Sequence, residues 1–258
     1  MEKRKVLYAI LAGMFLILAG VAAYHIVSKD VGDLRDQQTY DDIAKQAFTV
    51  EVPAENNEES TEPMGTNTSD VPNFKSLKET NEYCVGWIQM QGSVINYPVV
   101  WRSFDTQYFL KHLFNGAYGN AGTLYISDEC DPHFGSQNTI IFGHNMFNGS
   151  MFAPIERFKY QAYANDHKEL VYYSDEEKKY ILAPFAGFYT TGSDDYLYVN
   201  FESGEAFLRY VNDKIMRSTF TSNVKINETD KIVTLSTCSY NIDDGRYVLY
   251  CKLYEYEN

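Results

Sequence analysis

A cysteine and an arginine occupy the two sides of one predicted hairpin near the end of the chain. The segment "KIVTLSTCSYNIDDGRYVLYCKLY" contains two apolar runs that a polar loop joins. Cys238 ends the first run and Arg246 begins the second, so we expect these side chains to face each other across the mouth of the hairpin. A thiolate is a nucleophile, and a guanidinium can donate hydrogen bonds to a carbonyl oxygen under attack. The pair therefore predicts acyl-transfer chemistry.

The reaction also needs a base, and Arg246 cannot serve because its guanidinium stays protonated. Among five histidines, His144 is the best placed, since the apolar strand "TIIF" leads directly to it in "NTIIFGHNM". The other four lie at the membrane end, in a polar loop or in segments expected to face solvent: His25, His133, His112 and His167. We therefore predict a site formed by His144, Cys238 and Arg246, in preference to a structural thiol and a packed histidine.

A disulfide or a metal site would be an alternative role for Cys238. Cys251 lies five residues beyond Arg246, about 17 Å along an extended strand, whereas a disulfide requires alpha carbons within about 7 Å. Cys84 and Cys130 remain possible disulfide partners, either for Cys238 or for each other. The four cysteines show no Cys-x-x-Cys pair and no zinc-type Cys/His spacing, so we expect no metal site.

The elements that position these residues are predicted to be strands. Seven or eight short segments are rich in Val, Ile, Tyr and Trp, with Gly, Asn or Pro between them, which is typical of an antiparallel barrel or sandwich. Three other segments favour helices: "NFKSLKETN", "GSMFAPIERF" and "SGEAFLRYVNDKIMRS". Ser203 is suited to cap the last of these.

The N-terminal third of the chain is organised differently. In residues 1–27 a basic start precedes an apolar run long enough to span a bilayer, and an uncleaved anchor is favoured over a signal peptide. Residues 28–72 contain three basic and eleven acidic residues, so we expect an acidic flexible stalk, with a short helix as an option from about Asp30 to Phe48. Residues 73–258 are predicted to form one domain. The net charge of −13 argues against nucleic acid as a partner.

At its reactive residues the sequence resembles the sortases, the cysteine transpeptidases of Gram-positive cell surfaces. "TLSTC" is similar to the family's Thr-Leu-x-Thr-Cys motif ending at Cys238, "GHN" resembles the segment around its catalytic histidine, and Arg246 matches its essential arginine. "NTIIFGHNMFNGSMF" and the helix at 204–218 look like class B. The resemblance implies an eight-stranded β-barrel with an N-terminal helix and a helix between strands 6 and 7. It implies no cofactor, and no metal because the acidic cluster of class A is not evident.

The resemblance also implies a groove for a sorting peptide. Its lining residues would be Ser236, two positions before the nucleophile, Phe142, which shares the parity of His144, and also Asn120 and Leu124. One departure concerns the acidic residue that follows the cysteine in some class B members. Ser239, Tyr240 and Asn241 stand there instead, so a Cys-His-Asp triad is not supported. Asp243 and Asp244 are interpreted as turn residues.

The implied enzyme is a membrane protein whose catalytic domain lies outside the cell, because Lys3, Arg4 and Lys5 precede the apolar run. It would cleave surface proteins after the threonine of a C-terminal sorting motif and transfer them to a peptidoglycan cross-bridge or its lipid-linked precursor. Three alternatives stay open: a pilin polymerase that uses a lysine acceptor, a papain-like hydrolase, and a non-catalytic surface binding module. The papain-like option is disfavoured because papain-type cysteines begin a helix, whereas Cys238 ends a strand.

Overall fold

The computed structural model describes residues 2–50, 67–194, 196–240 and 244–256. Eight strands close into a barrel, which confirms the predicted mainly β fold. They are β1 Cys84–Gln89, β2 Asn96–Val100, β3 Leu124–Ile126, β4 Asn138–Gly143, β5 Leu170–Ser174, β6 Lys179–Thr191, β7 Ile232–Ser239 and β8 Gly245–Glu255. All eight coincide with apolar segments recognised in the sequence.

The order of strands around the barrel is β8, β6, β5, β1, β2, β3, β4 and β7, and β7 closes the circle by pairing with β8. Two neighbouring pairs are parallel, β2 with β3 and β4 with β7, and the other pairs are antiparallel. This order places β4 and β8 on either side of β7. Residues at the C-terminal ends of β4 and β7 therefore meet residues at the start of β8.

Strand parity separates the two faces of β7. Val233 and Leu235 point into the main core with the other interior side chains. Ile232 points outward and belongs to a second apolar cluster, which also contains Phe207 and Val211. Cys238 has the parity of Ile232, so the nucleophile candidate lies on the outer face of the barrel wall.

Three predicted helical segments are helical in the structure. α2 is Phe74–Thr80 and α4 is Gly204–Arg217, between β6 and β7 as predicted, and the Ser203 side chain accepts a hydrogen bond from the Ala206 amide at its start. The segment predicted from "GSMFAPIERF" forms a 3₁₀ helix at Ala153–Lys159, followed by the short α3, Gln161–Asp166. Through the second apolar cluster, α4 packs on the outer face of β7, the face that carries Cys238.

The N-terminal segment differs from the expected stalk. α1 runs without interruption over Glu2–Ala47. Its first half is apolar and exposed, and it is long and apolar enough to cross a membrane, which is compatible with a single-pass anchor. Its second half packs on the domain through Tyr40, Ile43 and Ala47, so residues 28–47 are a docked helix rather than a free linker. The low-hydrophobicity half of the predicted stalk includes residues 51–66, which lie outside the described residues.

Candidate active site

Cys238 and Arg246 are direct cross-strand partners. β7 and β8 are antiparallel, and their register pairs Cys238 with Arg246 and Ser239 with Gly245. The predicted placement across the hairpin mouth is therefore confirmed. The thiol is partly exposed, and Cys251 pairs with Val233 at a distant point of the same ladder.

His144 reaches the same place by way of the parallel neighbour β4. Phe142 pairs with Ser236 and Gly143 with Thr237, so the next residue along β4, His144, lies level with Cys238. Its Nε2 atom lies 2.7 Å from the Leu110 carbonyl oxygen, in the connection between β2 and β3. The structure thus brings the three predicted catalytic residues to one end of the β4–β7–β8 sheet, each at the end of its own strand.

The guanidinium of Arg246 interacts with its own hairpin. Its Nη1 atom donates hydrogen bonds to the carbonyl oxygens of Gly245, at 2.9 Å, and Asp244, at 3.2 Å. It also forms an ion pair of 3.2 Å with the exposed Asp244 carboxylate. Asp244 is thus a partner of Arg246 in the part of the hairpin that the structure describes. Asp243 lies outside the described residues.

A polar network beneath Cys238 was not foreseen from the sequence. The buried Asn145 side chain donates hydrogen bonds from Nδ2 to the Cys238 carbonyl, at 2.9 Å, and to Glu156 Oε2, at 2.7 Å. The Tyr189 hydroxyl donates to Glu156 Oε1 at 2.8 Å. Asn145, the residue after His144, therefore links the Cys238 backbone to Glu156.

Aromatic side chains surround the cysteine on two sides. The Tyr240 ring stacks on Phe147 with centroids 4.5 Å apart, and its hydroxyl donates to the Asn145 carbonyl at 2.9 Å. Tyr125 stacks on Phe142 at 5.2 Å. The pKa of Tyr125 is raised to about 12, mainly by burial and to a smaller extent by Tyr196 and Cys238, whereas Arg246 acts to lower it. Tyr125 is therefore a neutral hydroxyl within the electrostatic reach of the cysteine and the arginine.

Two of the four predicted groove residues lie beside Cys238. Ser236 and Phe142 are cross-strand partners on the outer face of the wall, each two residues before Cys238 or His144. The Ser236 hydroxyl is buried and has no hydrogen-bond partner among the described residues.

The other two predicted groove residues have different surroundings. Leu124 is completely buried in the main core and packs against Gly143. Asn120 is exposed and donates from Nδ2 to Asp33 of α1 at 3.3 Å. The contacts of these two residues are structural, and their assignment to the groove stays a prediction.

Three other histidines contact neighbouring side chains, and the cysteines form no disulfide among the described residues. His112 and His167 are half-buried and stack on Tyr108 and Tyr163, so the expectation that they face solvent is wrong. His133 contacts Asp175. All four cysteines are free, which excludes the bridge between Cys84 and Cys130 that the sequence left open.

Comparison with known proteins relates the whole chain to one group of enzymes. No family model matches the sequence. The chain is 30% identical over 229 residues to Sortase B of Listeria monocytogenes, covering 88% of this chain and 89% of the relative. It is 26% identical over 243 residues to Sortase B of Staphylococcus aureus, covering 93% of each chain.

Solved structures agree with the sequence comparison. A sortase B from B. anthracis in complex with AAEK1 superposes with a TM-score of 0.73 at 26% identity, covering 88% of this chain and 99% of the other. A Staphylococcus aureus sortase B-substrate complex superposes with a TM-score of 0.67 at 27% identity, covering 71% of this chain and 85% of the other. The Clostridium perfringens sortase B superposes with a TM-score of 0.66 at 28% identity, covering 70% of this chain and 100% of the other.

Proposed function

Because this chain belongs to the sortase B family of cysteine transpeptidases, we propose that Cys238 is its nucleophile, His144 its acid and base, and Arg246 its oxyanion ligand. The observation that carries the proposal is the meeting of these three residues at the ends of three adjacent strands. A nucleophile, a proton carrier and a hydrogen-bond donor to the oxyanion are three groups that together catalyse acyl transfer from an amide.

The first half of the proposed reaction forms a thioester. The Cys238 thiol gives its proton to His144 as the sulfur attacks the carbonyl carbon of a threonine in the sorting motif, and the oxygen of that carbonyl becomes negatively charged. Arg246 donates hydrogen bonds to this oxygen, which requires its guanidinium to turn away from Asp244. As the C–N bond breaks, His144 gives a proton to the departing amine.

The second half transfers the acyl group. An amine attacks the thioester carbon, His144 removes a proton from this amine, and the sulfur leaves as a thiolate. The product is a new amide bond, so no energy source beyond the cleaved amide is needed. We propose an amine of the peptidoglycan cross-bridge or of its lipid-linked precursor as the acceptor. The acceptor and the protein substrate would both be held at the extracellular side of the cell membrane, where α1 would anchor the enzyme.

The groove for the sorting peptide is proposed to run along the outer face of β4 and β7. Phe142 and Ser236 form its floor beside the reacting residues, and α4 packs on the same face of the wall. A sortase B of Staphylococcus aureus with the same fold has been solved as a substrate complex, and this relative supports a peptide-binding role for the groove. In this chain, α4 and the aromatic Tyr125 would wall the groove.

Mass spectrometry of the protein with candidate sorting peptides tests the proposal. Peptides with a threonine followed by asparagine or by glycine are expected to leave an acyl adduct on Cys238, and the Cys238→Ala variant is the control. Absence of an adduct from every peptide of both types would contradict the proposed reaction.

Acceptors are then compared with the acylated enzyme. Transfer to an amine of the peptidoglycan precursor supports the proposed role in wall anchoring. Covalent ladders of pilin subunits, with no transfer to the precursor, would instead make the protein a pilin polymerase. Retention of biological function by Cys238→Ala would point to a binding module.

A further inference from the structure

The hydrogen bond between His144 and Leu110 determines which ring nitrogen is free to exchange a proton in the reaction. Nε2 of His144 lies 2.7 Å from the Leu110 carbonyl oxygen. A carbonyl oxygen has no proton to donate, so Nε2 must carry the hydrogen. A neutral imidazole has one N–H, which leaves the lone pair on Nδ1.

We infer that the Leu110 carbonyl holds His144 as the Nε2–H tautomer, that Nδ1 exchanges the proton during acyl transfer, and that the second half of α1 is a positioning element for this carbonyl. The inference rests on the proposed role of His144. In the reaction, Nδ1 accepts a proton from the attacking group and passes it to the leaving amine. The Nε2 proton stays on the ring throughout, donated to Leu110.

The Leu110 carbonyl is held by close packing against a glycine. Gly122 has φ +56°, and a Cβ added there would lie 2.5 Å from the Phe109 carbonyl oxygen and 2.8 Å from the Leu110 carbonyl oxygen. The Thr123 amide donates to the Phe109 carbonyl at 2.8 Å. Only a residue without a side chain allows the strand-leading segment to approach the oxygen that holds the histidine.

α1 secures this glycine from the other side. The buried Tyr40 hydroxyl donates to the Gly122 carbonyl and lies 3.0 Å from Thr123 Oγ1. Burial raises the pKa of Tyr40, so the phenol stays protonated and able to donate. The Thr123 hydroxyl in turn donates to the His112 carbonyl at 2.8 Å.

Two buried carboxylates of α1 extend the contact. Asp36 accepts a hydrogen bond from the Ala121 amide at 3.0 Å, and Asp33 accepts one from Asn120. Both aspartates are more than nine-tenths buried. A continuous series of contacts thus runs from α1 through residues 120–123 to the Leu110 carbonyl and the catalytic imidazole. Through these contacts, the second half of α1 helps to position His144.

Nuclear magnetic resonance of the full chain in detergent micelles tests the tautomer. Histidine ring nitrogens are labelled with ¹⁵N, and the His144→Gln variant identifies the signals of His144 by their loss. At a pH where the ring is neutral, the expected pattern is a protonated Nε2 and an unprotonated Nδ1. A protonated Nδ1 would overturn the inference.

Kinetics of variants test the positioning. Gly122→Ala displaces the Leu110 carbonyl, and we expect kcat to fall about tenfold or more with KM within about twofold, because acid–base catalysis depends on proton position. Tyr40→Phe, which removes one hydroxyl and conserves the ring, should lower kcat about threefold and covers the case in which Gly122→Ala fails to fold. The peptide that acylates Cys238 and hydroxylamine as acceptor are the substrates.

Gly116→Ala is the matched control. Gly116 also has a left-handed φ, +80°, and lies in the same connection, but its nearest neighbour to an added Cβ, the Tyr108 hydroxyl, is 4.0 Å away. The kcat of Gly116→Ala should therefore equal that of the parent protein. If Gly122→Ala and Tyr40→Phe both keep the parental kcat and ring signals, α1 has no positioning role.

Failure of this inference is distinguishable from failure of the proposed function. A parent protein that forms no adduct with any peptide contradicts the proposed reaction, while the resonance experiment still reports the tautomer. An active parent with Nδ1–H contradicts only the inference.

Discussion

Cys238 and Cys251 lie on adjacent strands of one barrel wall, yet their surroundings suit opposite purposes. Cys251 is completely buried in the core, and burial raises the pKa of its thiol well above the ordinary value. Cys238 is partly exposed at the end of β7, with Arg246 opposite and His144 alongside. The contrast teaches that position along a strand, at the edge of the barrel or within it, decides what a thiol can do.

The other two thiols extend the same comparison. Burial raises the pKa of Cys84 to about 12 and that of Cys130 to about 11. Both S–H groups point to backbone carbonyls, of Gly86 and Asn138. The interior thus keeps three thiols protonated and unreactive.

The largest expected effect comes from replacing each of the two cysteines by alanine in turn. Cys238→Ala should abolish acylation, because no other thiol lies among the described site residues. Cys251→Ala should retain the parental kcat and lose about 1 kcal/mol of unfolding free energy through the cavity it leaves. Peptide acylation and urea unfolding measure the two outcomes. Residual adduct formation in Cys238→Ala would break the comparison.

The two ends of β8 offer the next test, because each carries a cation. Arg246→Gln should lower kcat/KM about 100-fold, the usual cost of losing one oxyanion donor. Lys252 at the other end forms an ion pair of 2.7 Å with Asp230, so Lys252→Gln should lower the melting temperature and leave kcat/KM unchanged. Equal kinetics for the two variants would remove Arg246 from the mechanism.

Asparagines at the two ends of β4 sharpen the comparison further. Asn145→Ala removes the bond to the Cys238 carbonyl, worth about 1.4 kcal/mol, and should reduce kcat about tenfold. Asn138, at the other end, accepts from Thr234 and donates to the Tyr198 carbonyl. Asn138→Ala should lower stability and keep kcat, measured by thermal unfolding and peptide kinetics. A normal kcat in a folded Asn145→Ala protein would show that this network does not position the nucleophile.

The last effect is absent at neutral pH and is confined to alkaline solution. The raised pKa of Cys84 means that the folded state keeps this proton between pH 9 and about 12, where the unfolded state, with a pKa of 9.0, releases it. The unfolded state then binds fewer protons, so stability falls as pH rises, by at most about 1.4 kcal/mol per pH unit.

Cys84→Ala removes this contribution, so its unfolding free energy should fall less steeply than that of the parent above about pH 9. Urea unfolding of both proteins at a series of pH values measures the difference, in which the contributions of the other buried groups cancel. Parallel curves would show that the Cys84 thiol does not stay protonated in the folded state.

Much of the fold could be predicted from the sequence, because side chains alternate between the two faces of a strand and a few neighbouring residues show this pattern. The hairpin pattern of 231–254 correctly predicted that Cys238 and Arg246 are opposed, and the length of an extended strand correctly placed Cys251 at a distance. The helix left open for about Asp30 to Phe48 is present, but its packing on the domain was not foreseen, because its buried positions include Asp33 and Asp36. Acidic residues usually indicate a solvated segment, and the backbone and side-chain donors that satisfy them lie far away in sequence.

The sequence by itself determined which groups can react and in what order along the chain they occur: an imidazole after one apolar strand, a thiol at the end of another and a guanidinium at the start of the last. Tertiary structure alone decided the partners of these groups, the Leu110 carbonyl on His144 and the Asn145 amide beneath Cys238. The physical reason is that a hydrogen bond depends on atomic positions within a few tenths of an ångström. Such positions between segments far apart in sequence are set only when the barrel closes.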